Sequence, residues 1–421
     1  MRPSLRAVPL LIVAASIAPL LFLTSPGEGT PLYAARQGLA CANCHFDPNG
    51  GGPRNAFGFA FAKNRHSTEA ETQGMFKDLD LTNKISEQLP VYFGVNHRLM
   101  ALFDDNGLPP TGLDRSGFVN MESQLHLTFQ PHPRLTLVYT HDGFGSEAAG
   151  GPRQTREAWG MIGLGNDHYL RAGLFRVPFG LRMDDHTVAT RNAFIEFQPQ
   201  PKSSALPYDP RVADQGVEVG GSHGDWQARV AYTDGASFIL GGPPRIHAQA
   251  LSGKLIYHEQ DYEVGVSGYD DWVPPLGTST PAAPSRVRAS RWGSYAMTHR
   301  GQVSLIGEVI AGTDQFATSP AGPPRSKTNR LGWFVEGDYQ ANRACNFRLR
   351  FDRLEGNRVG DTATREQSSF NRYALEGEVV PVPFTEIRWT LRLIDPVADK
   401  TLANVDRETE KQGYIQFHFS Y

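Results

Sequence analysis

Cysteine is scarce in this chain, with three residues in 421, too few for a disulfide framework. Charge of one sign is lacking too. The formal net charge is −3, which indicates neither a nucleic-acid partner nor a polybasic membrane-surface role. Past residue 24 no apolar run approaches the roughly 18 residues that a spanning helix needs, so the body of the chain is not a helical membrane protein. What remains is length, abundant glycine (43 residues) and 10 % aromatic residues. That length suits two or three soluble domains or one large β-structure.

The start of the chain differs from the rest. Arg2 and Arg6 precede PLLIVAASIAPLLFLTS, an apolar stretch over residues 9–25. A positive segment followed by such a run reads as a secretory signal over 1–28, with an uncleaved helical anchor as the alternative. On either reading the remainder is exported.

From about residue 90 onward one theme repeats: segments of eight to thirteen residues alternate apolar and polar between clusters of Gly, Pro, Asn and Asp. In CNFRLRFD, Cys345, Phe347, Leu349 and Phe351 alternate with Asn346, Arg348, Arg350 and Asp352. WQARVAYT and EIRWTLRL behave alike. Arginine at every second position suits the wet face of a soluble sandwich or the lumen face of a membrane barrel. Three features favour the barrel. There are about sixteen such segments, an even number within the range of such barrels. Connections alternate between tight (130–134, 165–167, 259–261, 299–301, 381–384) and long (PPLGTSTPAAPSR, 274–286; SPAGPPRSK, 319–327). The chain closes on GYIQFHFSY, alternating to a terminal aromatic, which resembles the closing strand of bacterial outer-membrane barrels. The expected fold is therefore all-β: a transmembrane antiparallel barrel of about 16 strands over 90–421. The longest gap between strand signals, 177–213, suits a loop that folds inward and narrows the lumen.

Two of the three cysteines stand together in LACANCHFDPNGGG (39–52). Cys41-Ala42-Asn43-Cys44-His45 fits C-x-x-C-H, the attachment pattern of c-type haem. Two thiols three positions apart on one helical turn can each add to a haem vinyl group, and the adjacent histidine then lies under the iron. A redox C-x-x-C expects a βαβ setting. A zinc site wants a second ligand pair, but Cys345 is far away in sequence. A disulfide closing so small a loop adds little. One haem c on Cys41, Cys44 and His45 is the reading taken, in a small, mainly helical module over about residues 30–88.

His66, Met75 and His97 are candidates for the second axial ligand, His66 being preferred; histidine and methionine give very different potentials. In NGGGPRNAFGFAFAKN (49–64), glycines permit close backbone approach, and Phe57, Phe59 and Phe61 either cover a haem face or belong to an ordinary apolar segment. The module is too short to wrap a haem alone. A haem at the periplasmic mouth or within the lumen, walled by the barrel, is the economical arrangement.

In architecture the chain resembles the fused monohaem cytochrome–porins of the outer membrane, of the iron-oxidising type. The local match is PLYAARQGLACANCH (31–45) against a pattern near P-x-F-A-R-Q-T-G-x-x-C-x-x-C-H, carried by Pro31, Tyr33, Arg36, Gln37, Cys41, Cys44 and His45. An extra alanine precedes Arg36-Gln37 and the threonine after them is missing, departures that bear on substrate more than on architecture. The resemblance implies electron transfer, as an Fe(II):cytochrome c oxidoreductase, from extracellular Fe(II) to a periplasmic cytochrome or other carrier across the bacterial outer membrane. A diffusion porin with a structural or regulatory haem, and a conduit donating outward, are the alternatives. Tyr33, Arg36, Gln37, Phe57 and Phe59 are expected near the haem. Carboxylates suit iron, which makes Asp104, Asp105, Asp184 and Asp185 candidate points of iron access.

Overall fold

The computed structural model describes residues 31–70, 81–86, 88–105, 115–142, 154–181, 190, 213–235, 249–272, 285–317, 326–358, 370–396, 401–402, 405–406 and 409–421. Fifteen long strands follow one another: β1 Val91–Asp105, β2 Arg115–His132, β3 Leu135–Asp142, β4 Gln154–Gly165, β5 His168–Phe175, β6 Asp214–His223, β7 Trp226–Thr233, β8 Gln249–Glu259, β9 Tyr262–Trp272, β10 Ser285–Arg300, β11 Val303–Ala317, β12 Ser326–Asn342, β13 Cys345–Arg358, β14 Phe370–Val379 and β15 Thr385–Pro396. A closing strand, Glu410–Ser420, pairs with β15 on one side and β1 on the other. Every pairing is antiparallel between neighbours, and the sixteen strands form a closed barrel with no free edge.

The alternation seen in the sequence sorts the side chains inside out. On β13, Arg348 is 3 % exposed and Leu349 beside it 65 %. β15 turns Arg388, Thr390 and Arg392 inward and Ile387 and Leu393 outward; β7 buries Arg229 and exposes Val230 and Tyr232. Apolar exposure continued around a whole wall far exceeds the few hundred Å² that a water-soluble surface tolerates. Hydrocarbon is the solvent such an exterior suits.

Inward arginines pair with carboxylates across neighbouring strands. Arg348 bonds Asp338 at 2.9 Å and Glu376 at 2.9 Å. Arg350 pairs with Glu336, and Arg372 with Asp352 at 2.9 Å. Arg388 meets Glu378 at 3.2 Å, and His418 meets Glu386 at 2.9 Å. These contacts lace β12 to the closing strand across the lumen face and satisfy charges that burial would otherwise penalise.

Tight connections (133–134, 166–167, 224–225, 260–261, 301–302, 343–344 and 380–384) gather at one end, where β1 starts and the chain finishes. Asn166 and Asp167 both take positive φ, as two-residue hairpin turns require. After β5 the chain enters the lumen, as expected for part of the long gap. Gly180 N–H donates to Ser267 Oγ at 3.0 Å, and Leu181 N–H and Thr190 Oγ1 both donate to Glu308 at 2.6 Å. Val177 and Phe179 pack there against Tyr269, Ile310, Leu354 and Ile394. The lumen thus contains an apolar core of its own.

Candidate functional site

The N-terminal module is built from two short helices and a one-turn loop. Helix α1, Pro31–Gln37, opens on a proline, whose missing N–H costs nothing at that position. It ends on Gly38 at φ 59°, with Leu39 N–H reaching Ala34 O at 3.1 Å. Any side chain at Gly38 meets the carbonyl oxygen of Gln260, in a tight turn of the barrel, at 2.3 Å. Helix α2, Ala56–Lys63, is capped by Asn55, whose side chain accepts from Gly58 N–H at 2.9 Å.

Barrel residues hold this module in the tight-turn end of the lumen. Leu32 and Ala35 pack with Tyr295, Met297, Ile306 and Phe334 of the wall and with Leu181 of the inward segment. Arg171 on β5, fully buried, pairs with Asp47 of the module and Glu218 of β6, both at 2.8 Å. Its guanidinium lies 4.4 Å from the centre of the Phe175 ring. Arg343, in the turn after β12, donates to Ser67 Oγ and Glu69 O.

Between the helices, Cys41–Asn43 forms a single 3-10 turn, and His45 N–H bonds Cys41 O at 3.3 Å. Neither Cys41 nor Cys44 is in a disulfide. His45 Nδ1 lies 3.3 Å from Gly52 O. A carbonyl only accepts, so Nδ1 carries the hydrogen, which in the neutral ring leaves the lone pair on Nε2. That is the tautomer a metal-binding imidazole uses, with its orientation set by a backbone carbonyl. A Cβ on Gly58 would lie 2.0 Å from Cys44 O, so α2 presses directly on the loop. Burial pushes the Cys44 thiol up to about 11, with Cys41 adding to the rise and Arg54 opposing it. Residues of this kind can hold a haem c: two thiols on one turn and, next to them, an imidazole oriented by a backbone carbonyl.

A cleft beside His45 is shared between module and wall, lined by His45 and Arg54 on one side and by Arg98, His126, Arg176 and His418 on the other. Arg98 Nη2 lies 3.2 Å from Glu122, while its Nε is buried with no hydrogen-bond partner.

The remaining expected site residues are dispersed. Tyr33 OH meets His66 Nδ1 at 3.1 Å, and His66, at φ 59°, packs against both the Tyr33 and Phe61 rings. Arg36 lies over the Tyr33 ring, and Gln37 accepts from Thr68. Phe57 is 46 % exposed, and Phe59 faces Phe384 and Tyr421 at the rim, so neither lines the cleft. One expectation is corrected. His97 shares a face of β1 with Leu99 and Phe103, opposite Asn96, Arg98 and Met100, and points away from the lumen. Strand alternation names two faces without saying which belongs to a given histidine. Asp104 and Asp105 end β1 at the long-loop end, away from the module. Met75, Asp184 and Asp185, like the leader, fall outside the described residues. His126, Arg98 and Arg171 were missed, because only the register brings them to the module.

No protein-family model matches the chain, and no curated protein does. Solved structures do. OmpTdeltaL8, a loop L8 deletion mutant of OmpT from the outer membrane of Vibrio cholerae, aligns with 79 % of this chain and 99 % of its own at 10 % identity, with a TM-score of 0.56. An anion-selective porin from Comamonas acidovorans aligns over 79 % and 99 % at 12 % identity, TM-score 0.56. The outer membrane channel DcaP of Acinetobacter baumannii aligns over 81 % and 100 % at 10 % identity, TM-score 0.53. The barrel has the fold of outer-membrane porins.

Proposed function

We propose that this chain is an outer-membrane electron-transfer protein. It carries one haem c on Cys41, Cys44 and His45 and passes electrons between extracellular Fe(II) and a periplasmic carrier. The observation that carries the reading is the C-x-x-C-H turn with its His45 imidazole held by Gly52 O, in a module lodged inside a lipid-facing barrel. Bound there, a haem supplies a one-electron iron couple. Cys41 and Cys44 tether it, and His45 presents Nε2. Arg171, Asp47 and Leu32 keep the loop within the lumen, and Val177 and Phe179 add an apolar cluster on the lumen wall. Tight turns of bacterial barrels face the periplasm, which supports a periplasmic position for the module. From Arg98, beside His45, to Asp104 at the far end of β1 is about 20 Å along the strand. A donor must therefore enter the lumen from outside.

A second reading, a diffusion porin with a structural haem, is favoured by the likeness to an anion-selective porin and to DcaP. The module and inward segment packed against the lumen wall speak for the first. The test is an anaerobic visible spectrum of the oxidised, detergent-solubilised protein before and after Fe(II). Reduced c-type bands, absent in Cys44→Ala, are expected. A haem that dithionite reduces and Fe(II) does not would overturn iron as the donor.

A further inference from the structure

We propose that Arg229 on β7 and Lys254 on β8 form a carboxylate-binding site in the lumen, which takes the two carboxylates of the haem held at Cys41 and Cys44. The inference rests on the haem reading above and deepens it.

The two cations are direct cross-strand partners, and both side chains turn inward. Like charges placed opposite one another repel. Burial adds to that cost, since Arg229 is 6 % exposed and Lys254 8 %. Elsewhere in the lumen a buried arginine meets an acid, as Arg171, Arg291, Arg348 and Arg372 do. This pair has no such acid. Among the described residues, Arg229 donates to the Gln227 amide oxygen at 2.8 Å and makes no ion pair. Lys254 Nζ stands 4.7 Å from the centre of the Tyr295 ring and, among the same residues, makes neither a hydrogen bond nor an ion pair. The next positions across the sheet are Gly220 beyond Arg229 and Ser267 beyond Lys254, neither of them acidic.

The carboxylates within reach are engaged elsewhere. Glu263 and Glu308 act on Lys254 electrostatically. Glu263, however, accepts from Tyr295 OH at 2.7 Å and meets His258 Nδ1 at 3.0 Å. Glu308 accepts from Leu181 N–H and Thr190 Oγ1, both at 2.6 Å. On β6, Glu218 is held by Arg171 at 2.8 Å and Tyr169 at 2.7 Å. Two buried cations side by side are thus left to an anion from outside the chain.

Their place in the lumen says which anion. Cys41 is near enough for its charge to act on both Lys254 and Tyr295, and Tyr295 shares an apolar cluster with Leu32 and Ala35 of α1. The tethering thiol and the cation pair therefore border the same part of the lumen. Haem carries two neighbouring carboxylates, which two neighbouring cations match in number and charge. A free inorganic anion such as phosphate offers related chemistry, and the experiment separates the two.

The experiment uses the full-length, detergent-solubilised protein. Denatured wild type is first stained for covalent haem; absence of stain overturns the haem reading and this inference with it. With haem present, Arg229→Met and Lys254→Met are each expected to keep covalent haem and to shift the carboxylate-bending bands of the resonance Raman spectrum. Each is also expected to lower the midpoint potential, because an uncompensated carboxylate favours oxidised iron. Arg229→Lys, which keeps the charge, is expected to stay nearer the wild-type potential. Bands and potential unchanged in both methionine variants overturn the proposal. A second measurement leaves the pair intact. Melting is followed by heat-modifiable gel migration, with and without phosphate, in haem-loaded wild type and in haem-free Cys41→Ser/Cys44→Ser protein. Phosphate is expected to raise the melting temperature of the haem-free protein alone, since only there is the pair open to it. An equal response in both proteins overturns the haem assignment in favour of a free anion, and no response in either overturns the site itself.

Discussion

Gly58 and Cys44 meet at one atom, and each makes a separate demand. A methyl on Gly58 falls 2.0 Å from Cys44 O, against backbone on both sides. Gly58→Ala must push α2 off the haem loop, and overpacking of that kind costs about 1–3 kcal/mol. The expected result is a module that loads less haem and is cleaved faster by protease, in a barrel whose heat-modifiable gel migration is unchanged. Cys44 makes its demand through pH. Burial raises its thiol to about 11, so the folded loop holds this proton more tightly than the unfolded chain does. The contribution to stability is complete below the unfolded value, near 8.5, and is lost as pH rises toward 11. In haem-free Cys41→Ser protein, maleimide should label Cys44 more slowly at pH 7 than it labels a peptide thiol, the rate climbing steeply up to pH 11. Labelling at the peptide rate at pH 7 would contradict a buried thiol.

Among the elements, β5 and the haem loop are tied by one guanidinium. Removing Arg171 takes the shared cation from the buried carboxylates of Asp47 and Glu218; losing one partner of a buried ion pair costs about 3–5 kcal/mol. Arg171→Met is therefore expected to release the module, seen as faster proteolysis near residue 47 and a lower melting temperature. Melting and cleavage equal to wild type would remove the latch from the account. Nothing in the sequence advertises this contact, which spans 124 positions. The strands were legible because a two-residue period survives in every segment, and in Cys345–Arg358 or Trp226–Thr233 it gives both faces correctly. Glycine or proline marks the turns at 165–167 and 381–384, whereas 343–344, an Arg-Ala pair, carries no such signal. C-x-x-C-H was legible because its chemistry is local. The partners of that loop were not, since His97 and His126 look alike until the register sends one outward and the other into the cleft.

At the scale of the molecule the question is whether the tube is open. Sixteen strands alone enclose an aqueous channel, and the porins it resembles in fold are channels by name. Here Leu32 and Ala35 of the module and Leu181 of the inward segment share one apolar nest with Tyr295, Met297, Ile306 and Phe334. Module and inward segment therefore both occupy part of the lumen. In planar bilayers the full-length protein should pass far less current than an open porin of equal strand number. Leu32→Asp puts a carboxylate where the native side chain is 1 % exposed, and an unpaired charge there is costly enough to drive α1 out of its nest. Conductance should rise in Leu32→Asp while the barrel stays folded and Cys41 and Cys44 stay intact. A wild type already as conductive as an open porin would show that ions bypass the plug. The porin reading would then outweigh the electron-transfer one, since a redox centre bathed by a bulk aqueous channel gains nothing from the barrel around it.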